Sequence, residues 1–342
     1  MLLSMTNKIL SFLIIASFLI GCNDSEPDYM RLGGYTMGTT YHVTLETNPQ
    51  YAEGLQKAID ERLVQINQLM STYLDDSELS VFNQTQSTAC LPLSYDTLFV
   101  VGSALEVSVV TNGKFDVTLA PLIEMWGFDK KETDNQIPTQ AEIDKNLKNI
   151  GYRKIDIGDL NDHCITKAIP QISINLSAIA KGYAVDQIAL ILQQNQIKNY
   201  MVEIGGEVAN KGVNSKGEDW KIAIESPLPN QTIQRVITPK GMGIATSGDY
   251  RNYFEKNGKR YSHTLDPTTG YPIDHNLASI TVLHPETMFA DAYATAMMVM
   301  GPEESLKLAD ELQLPIFMLL KTEKGFEEVY NDRFKSYLMK SN

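Results

Sequence analysis

The 342-residue sequence lacks the basic surface that nucleic-acid binding requires. Its 42 Asp and Glu residues outnumber 29 Lys and Arg residues, which gives a net charge of -13. No cluster of Lys or Arg interrupts this acidic excess. Because phosphate backbones attract positively charged surfaces, the composition argues against a nucleic-acid partner.

Cysteine is scarce as well. Of the three cysteines, Cys90 and Cys164 show no CxxC spacing and no neighbouring pair of histidines, which argues against a zinc site. Export would permit a disulfide between them. A chain of this size does not need such a cross-link for stability. The sequence therefore leaves the disulfide open and favours two unpaired cysteines.

The N-terminal apolar segment is too short to cross a bilayer as a mature helix. It covers residues 9–20, follows Lys8 and leads into Gly21 and Cys22. Small residues just before a cysteine resemble the lipobox at which bacterial lipoproteins are cleaved and acylated. The alternative is an ordinary cleaved signal peptide that leaves Cys22 unmodified.

These features predict an exported lipoprotein. We expect a signal peptide at 1–21, lipidation of Cys22, a polar tether at 22–30 and a single folded domain at 31–342. The expected location is the periplasmic side of the cell membrane, held by the lipid anchor. Whether that membrane is the inner or the outer one stays open.

No internal repeat or low-complexity block appears, and the apolar periodicities predict a mixture of helices and strands. Helices are expected from residue 51 onward, at 94–109, from residue 139 onward, at 180–194 and at 290–300. Strands are expected at 35–45, 171–175, 200–208, 220–225, 235–245, 278–283 and 315–320. This mixed order is typical of the α+β class.

The stretch 175–186 (NLSAIAKGYAVD) passes from a predicted strand into a predicted helix. The free N–H groups and positive dipole of a helix N-terminus suit a phosphate, and Lys181 adds a donor in the first turn. The alternative is that Ser177 caps the helix while Lys181 is solvated. This stretch by itself favours the alternative.

Two further stretches combine glycine with polar residues. In 203–208 (EIGGEV), two glycines within a predicted strand indicate either a β-bulge or the close approach of a ligand. The segment 245–272 gathers polar groups around turns, where catalytic residues are common. These groups are Thr246, Ser247, Asp249, Arg251, His263, Thr264 and Asp266. A lone histidine is more often structural than catalytic, so these neighbours must support any catalytic role for His263.

Asp291 and Thr295 are four residues apart in a predicted helix, which places their oxygens on one face. A carboxylate and a hydroxyl suit a hard cation such as Mg2+. The alternative is that Asp291 interacts with the helix dipole and Thr295 bonds back to its own helix.

In their amino-acid sequences and in their order along the chain, these stretches resemble the ApbE-type FAD:protein FMN transferase family. The resemblance also includes 37–41 (MGTTY) and 71–73 (STY), and it spans essentially the whole mature chain. Its most specific pieces are NLSAIAKGYAVD, EIGGEV, ATSGDYRNYFEKNGKRYSHTLDPTTGYP and ADAYATAMMVMG. It implies a T-fold-like α+β body of two lobes with FAD in the cleft between them. It also implies Mg2+-dependent transfer of FMN from FAD to a Thr or Ser hydroxyl of a partner protein, with release of AMP.

The resemblance also implies roles for individual residues. Asp291, Thr295 and the backbone oxygen of Ala178 are expected to bind Mg2+. His263 is the expected base for the acceptor hydroxyl, with Asp266 in reserve. The expected FAD contacts are Met37, Tyr73, Lys114, Phe115, Asp116, Asn175, Lys181 and Leu265. Among these, Tyr73 and Phe115 have the aromatic rings that suit contact with a flat ligand.

The chain departs from the family pattern at three positions. Ala294 stands where many members have a second acid, Asn175 where an aspartate is common, and Lys181 where an acid can occur. The substitution at Ala294 puts the affinity and ligand count of the metal site in doubt. It also keeps two alternatives open, an FAD-storing lipoprotein without transfer and an FAD pyrophosphatase that gives FMN and AMP.

A solute-binding lipoprotein for another ligand is a further alternative, although it leaves the Asp291 and Thr295 pair unexplained. The usual acceptors of the family are subunits of membrane redox complexes. Such a subunit is therefore the expected partner here.

Overall fold

The computed structural model describes residues 28–128, 136–158, 163–227, 233–250 and 252–339. Its helices are α1 (Pro49–Met70), α2 (Glu78–Gln84), α3 (Tyr95–Val110), α4 (Ala120–Trp126), α5 (Gln140–Leu147), α6 (Ala180–Gln194), α7 (Thr287–Met300) and α8 (Pro302–Glu311). The predicted signal peptide, Cys22 and Arg251 lie outside the described residues.

The strands alternate with these helices along the chain. They are β1 (Asp28–Thr36), β2 (Thr39–Thr47), β3 (Leu91–Pro92), β4 (Ile155–Asp156), β5 (Cys164–Lys167), β6 (Tyr200–Ile204), β7 (Glu207–Lys211), β8 (Ile222–Glu225), β9 (Ile233–Ile237), β10 (Gly243–Gly248), β11 (Tyr253–Lys256), β12 (Lys259–Ser262), β13 (Leu277–His284), β14 (Ile316–Thr322) and β15 (Gly325–Tyr330). The predicted α+β class is confirmed. Strand β1 begins inside the segment predicted as a tether.

An antiparallel sheet of eight strands organises the fold, in the order β1-β2-β6-β7-β10-β13-β14-β15. Helices α1, α6 and α7 pack on this sheet and on one another. Their apolar residues, among them Leu55, Ile188 and Met297, form the largest core cluster with the sheet. A second cluster includes Ile237 of β9 together with Phe317. Burial of these apolar side chains is the main driving force for the fold.

A third apolar cluster stabilises the turns that follow β12. It contains Trp126 of α4, Ile143 of α5 and Leu265. The indole Nε1 of Trp126 donates to the carbonyl oxygen of Gly270 at 2.8 Å. The loop that contains the predicted catalytic residues is therefore fixed by packing and by a buried hydrogen bond.

The helix predictions are confirmed in position. Ser94 caps α3, with its hydroxyl accepting the Thr97 amide at 3.3 Å. Thr139 and Glu142 form the predicted capping box of α5. Helix α6 matches its predicted bounds, while α7 begins three residues earlier than the predicted 290. These features depend on short-range pattern and capping chemistry, which a single sequence shows directly.

Three predicted strands are each two strands joined by a turn. The prediction at 35–45 covers a hairpin that turns at Met37 and Gly38, where φ is 50° and 75°. The prediction at 200–208 turns at Gly205 and Gly206, both with positive φ. The prediction at 235–245 covers parts of β9 and β10. Apolar alternation continues on both sides of the first two turns, each of two residues, so periodicity alone did not show those two breaks.

The predicted strand at 171–175 is wrong, because this stretch has no strand geometry in the described structure. Its polar backbone groups are bonded elsewhere. The Asn175 amide donates to the Val117 carbonyl oxygen at 2.8 Å, and the Ile174 amide donates to the Asn83 side chain at 2.7 Å.

The expectation of unpaired cysteines is also wrong. Cys90 and Cys164 form a disulfide with a Cα–Cα distance of 5.5 Å. Strand β3, which begins one residue after Cys90, pairs with β5, and Pro92 lies opposite Cys164. This pairing brings together residues that are 74 positions apart, a contact that cysteine spacing does not reveal. None of the described helices is long and apolar enough to span a membrane.

Candidate active site

A buried ion cluster joins β7, α6 and α7. The ammonium nitrogen of Lys181 lies 3.0 Å from Glu207 Oε1 and 3.9 Å from Asp291 Oδ1. Each of the two acidic residues is 4% exposed. One lysine therefore neutralises only one of two buried carboxylates, and the ionised cluster retains a negative charge.

Burial dominates the electrostatics of both acids. Loss of water raises the pKa of Glu207 to about 7, and repulsion from Asp291 acts in the same direction, while Lys181 opposes both. Burial likewise raises the pKa of Asp291, against the effects of Lys181 and of the Gly182 amide. A cation placed beside these carboxylates would favour their charged forms.

The close approach of α6 and α7 fixes the Asp291 carboxylate. The Gly182 amide donates to Asp291 Oδ2 at 3.1 Å. Gly182 is the third residue of α6, so its amide belongs to the first turn and has no acceptor within the helix. The Asp291 carboxylate supplies that acceptor. A Cβ at position 182 would lie 2.5 Å from the Thr287 carbonyl oxygen, so glycine is required there.

Asp291 does not cap the N-terminus of its own helix, and it accepts an amide from the first turn of α6 instead. The first amides of α7 donate to Asp186 of α6, at 2.9 and 2.8 Å, and not to Asp291. The Thr295 hydroxyl lies 3.2 Å from the Ser247 hydroxyl of β10. Both side chains are therefore directed toward neighbouring elements, as residues of a shared site would be.

The alternative roles at the start of α6 are wrong as well. Lys181 is paired with two carboxylates and is not simply solvated. The N-cap of α6 is Ile179, whose side chain makes no capping hydrogen bond, and the side chain that accepts a first-turn amide is that of Asp291. Ser177 is exposed two residues before this N-cap.

The oxygen donors at this position suit Mg2+. They comprise a carboxylate from Asp291, a hydroxyl from Thr295 and a backbone oxygen from Ala178, all of which are hard ligands. The described residues contain no group of three or more His, Cys, Asp or Glu side chains that could hold a metal. A cation here would therefore need the hydroxyl and carbonyl oxygens, and it would offset the uncompensated charge of the ion cluster.

Two hairpin turns lie near the ion cluster. A Cβ on Gly205 would lie 2.9 Å from Thr39 Cγ2 and 3.6 Å from Lys181 Cδ. The EIGGEV glycines therefore form a tight turn rather than a bulge, and this turn packs near the stem of Lys181. Met37, in the turn that precedes Thr39, is half-buried against the main core.

One ring nitrogen of His263, Nδ1, contacts a backbone carbonyl oxygen, and this contact determines which nitrogen carries the proton. Its Nδ1 lies 2.9 Å from the Asn252 carbonyl oxygen. Since a carbonyl oxygen only accepts hydrogen bonds, Nδ1 carries the proton and Nε2 has a lone pair. Burial lowers the pKa of His263, although the Asn252 carbonyl and Asp249 oppose this effect. The neutral, proton-accepting form is therefore favoured at neutral pH.

Asp266, the reserve base, has structural contacts. Its Oδ2 lies 3.1 Å from Lys114 Nζ, and its Oδ1 accepts the Thr268 amide at 2.8 Å. Leu265 is buried beside it in the third cluster. The structure thus brings Lys114 to the loop that contains His263.

Phe115 and Asp116 have buried side chains. Phe115 is 2% exposed within the main core, so its ring is not placed to stack on a ligand. The Asp116 carboxylate accepts the amides of Thr118 and Tyr152, both at 2.8 Å, and burial raises its pKa. The ring of Phe115 is therefore enclosed in the core, and the Asp116 carboxylate is engaged by backbone amides.

The other predicted contact residues are more accessible. Tyr73 is 65% exposed in the turn after α1. Asn175 is half-buried, and its side-chain oxygen accepts the Ser177 amide at 2.8 Å. A cleft of about 370 Å³ is lined by residues that include Gly113, Asp116, Tyr152 and Pro267.

Two buried acids were not among the predicted site residues. Glu207 was part of a stretch interpreted only through its glycines. Asp249 contacts Lys321, is 6% exposed and influences the pKa of His263. A charged residue directly after a glycine turn, or at the end of an otherwise buried strand, was the available signal in both cases.

Together, the antiparallel sheet, the paired helices and the lysine–carboxylate cluster define an α+β protein with buried acidic residues at the junction of α6, α7 and β7. The family is established by comparison. Residues 37–318 match the model of the ApbE family. This chain belongs to the ApbE family. Two members of the family, 44% and 41% identical to this chain, are transferase enzymes.

Two relatives align with this chain over nearly the whole length of both proteins. The FAD:protein FMN transferase of Vibrio cholerae serotype O1 is 44% identical over 331 residues, covering 95% of this chain and 98% of the relative. The enzyme of the same name from Haemophilus influenzae is 41% identical over 328 residues, with 94% of each chain covered.

Solved structures agree with the fold. The flavin transferase ApbE from Vibrio cholerae superposes with a TM-score of 0.85 at 42% identity. The match covers 91% of this chain and 100% of that chain. The ApbE protein from Thermotoga maritima gives a TM-score of 0.82 at 28% identity, over 92% of this chain and 100% of that chain.

Proposed function

We propose that this protein is an FAD:protein FMN transferase, which moves FMN from FAD to a Thr or Ser hydroxyl of a partner protein and releases AMP. The observation that carries the proposal is the buried contact of Lys181 with Asp291 and Glu207 at the junction of α6 and α7. This arrangement combines an ammonium for a phosphate with oxygen ligands for Mg2+. The names of the relatives support the same activity.

The reaction exchanges one phosphoester partner for another. A bond forms between the acceptor oxygen and the phosphorus of FMN, while the bond from that phosphorus to the oxygen of AMP breaks. A bound Mg2+ would neutralise negative charge on the phosphoryl oxygens. The ligands we propose for it are Asp291, Thr295 and the Ala178 carbonyl oxygen.

The side chains of this protein position and deprotonate the reactants. Lys181, in the first turn of α6, donates to a phosphoryl oxygen with help from the helix dipole. His263 Nε2 accepts the proton of the acceptor hydroxyl, because its Nδ1 proton is held by Asn252. Exposed Tyr73 contacts the flat flavin ring. We place the flavin in a cleft between two lobes of the 31–342 domain.

We further propose that the mature protein is lipid-anchored at Cys22 on the periplasmic side of the cell membrane. The disulfide between Cys90 and Cys164 supports an oxidising compartment. A membrane anchor would keep the enzyme close to its acceptor, for which we propose a subunit of a membrane redox complex.

The test is intact-mass spectrometry of an acceptor. The full-length protein, purified in detergent, is incubated with FAD, Mg2+ and a membrane redox subunit that carries a candidate threonine. We expect a gain of one FMN on the acceptor and an equal amount of AMP, both lost with chelator and in Asp291→Ala. Glu61→Gln, an exposed charge change on α1, is the control and should keep full activity.

The same experiment separates the alternatives. AMP release without mass gain on the acceptor would indicate an FAD pyrophosphatase. Bound FAD with neither product would indicate flavin storage, and absence of FAD binding would indicate another solute.

A further inference from the structure

Glu207 has a buried carboxylate oxygen without a partner. Its Oε1 contacts Lys181, but its Oε2 is inaccessible to solvent and has no hydrogen-bond partner among the described residues. A buried polar atom without a partner loses the hydrogen bonds that it would make with water, and the loss is larger for a charged group. Such an atom therefore requires an explanation, and an absent ion or its water is one of the usual ones.

The position of Glu207 connects it to the proposed cation site. Lys181 contacts Glu207 and Asp291 at once, so the two carboxylates face the same ammonium. A single lysine does not balance two carboxylates, and a divalent cation would remove the remaining negative charge.

Helix α7 does not provide a second acid at this site. Position 294, one turn after Asp291, holds a fully buried alanine. Strand β7 packs against α7, and Glu207 is its first residue. Glu207 therefore brings a second carboxylate to the site from a different element.

We propose that Glu207 is the second carboxylate of the cation site, with Oε2 accepting a hydrogen bond from a cation-bound water. Mg2+ usually keeps several of its waters in proteins, and these waters need acceptors. The proposal rests on the cation site of the proposed function. It adds Glu207 as an outer partner that orients the coordination sphere.

The test measures cation binding without FAD and without turnover. Mn2+, which binds similar oxygen ligands, is titrated into the full-length protein, and free Mn2+ is followed by electron paramagnetic resonance. We expect Glu207→Gln to weaken Mn2+ binding by about tenfold to a hundredfold, the usual effect of losing an outer partner. Glu207→Gln preserves the shape and the oxygen that faces Lys181. Glu61→Gln removes the same charge from an exposed site and should bind Mn2+ like the wild type.

The same substitution in a Lys181→Met protein separates a role of Glu207 in cation binding from a role of Glu207 in holding Lys181. Lys181→Met removes the ammonium that competes with the cation, so we expect it to tighten Mn2+ binding. In this background Glu207→Gln should still weaken binding by at least about tenfold. An effect of Glu207→Gln that disappears in Lys181→Met would overturn the proposal, because Glu207 would then act only through the lysine.

Comparison with Asp291→Ala distinguishes the two proposals. Loss of Mn2+ binding in Asp291→Ala with wild-type binding in Glu207→Gln would reject the role of Glu207 and leave the proposed function intact. Wild-type binding in both variants would reject the cation site itself. If Glu207→Gln does not fold, as judged by thermal unfolding, Glu207→Asp decides the matter. It keeps the charge but shortens the side chain, and unchanged Mn2+ affinity in it would count against the proposal.

Discussion

Gly182→Ala is expected to destabilise the protein and to disturb the active site together. A Cβ at this position would lie 2.5 Å from the carbonyl oxygen of Thr287 and 2.7 Å from the Cα of Met288. Both are backbone atoms of α7, so neither can move aside as a flexible side chain would. Helix α6 or α7 must therefore shift, and with it the Gly182 amide that binds Asp291.

The magnitude follows from two opposing effects. Replacing glycine by alanine within a helix favours folding by about 1 kcal/mol. Overpacking of a tight contact costs about 1–3 kcal/mol, or more where backbone must move. We therefore expect a net loss of about 1–2 kcal/mol in the free energy of unfolding. A displacement of Asp291 by about 1 Å would also lower the transfer rate by about a hundredfold.

Gly54→Ala provides a matched control. Gly54 also lies within a helix, α1, and a Cβ there would meet no atom within 4 Å. This variant should gain up to about 1 kcal/mol and keep its activity. Urea denaturation and single-turnover flavin transfer would be measured for both variants. A Gly182→Ala protein as stable and as active as Gly54→Ala would refute the close packing of α6 on α7.

Three further predictions concern other parts of the molecule. His263→Ala should slow transfer by about 10²–10⁴-fold while FAD still binds. Because burial lowers the pKa of His263, wild-type transfer should be constant above pH 7 and fall only below the usual histidine range. A single-turnover pH profile checks this, and an unchanged acid limb in His263→Ala would contradict it. Asp186→Ala removes the acceptor for two α7 amides and should cost about 1–2 kcal/mol in urea denaturation, whereas an unchanged midpoint would contradict the capping role. Reduction of the Cys90–Cys164 disulfide should lower stability by about 2–4 kcal/mol, as measured with and without reductant, and equal stability would argue against the bond.

Local features of the fold were predictable, because their causes lie within a few residues. The Thr139 capping box and the bounds of α6 followed from side-chain chemistry and a periodicity of 3.6 residues. The hairpins at Met37 and at Gly205 were not predicted, because a two-residue turn leaves the alternation of the flanking strands intact. The Cys90–Cys164 bond was not predicted either, because it depends on pairing between β3 and β5.

The candidate site shows the same division between local and long-range information. The four-residue spacing of Asp291 and Thr295 placed both on α7, and the start of α6 correctly included Lys181. Taken singly, however, each of these residues had an equally acceptable structural role. Burial in the folded protein distinguishes the structural role from the functional one. Lys181 could remain solvated if the chain stopped at α6, but β7 and α7 bring two buried carboxylates to it, and its side chain is then only partly exposed.

Glu207 shows why the complete site required the tertiary structure. Its sequence neighbours are the two glycines of a hairpin turn. The stretch was therefore interpreted through its backbone and not through the side chain of Glu207. Only the packing of β7 against α7 makes Glu207 a buried charge with an unused oxygen. A buried carboxylate becomes protonated, pairs with a cationic group or binds a cation. Because the one lysine that contacts Glu207 among the described residues is shared with Asp291, the case for a cation rests on the whole cluster and not on any one of its residues.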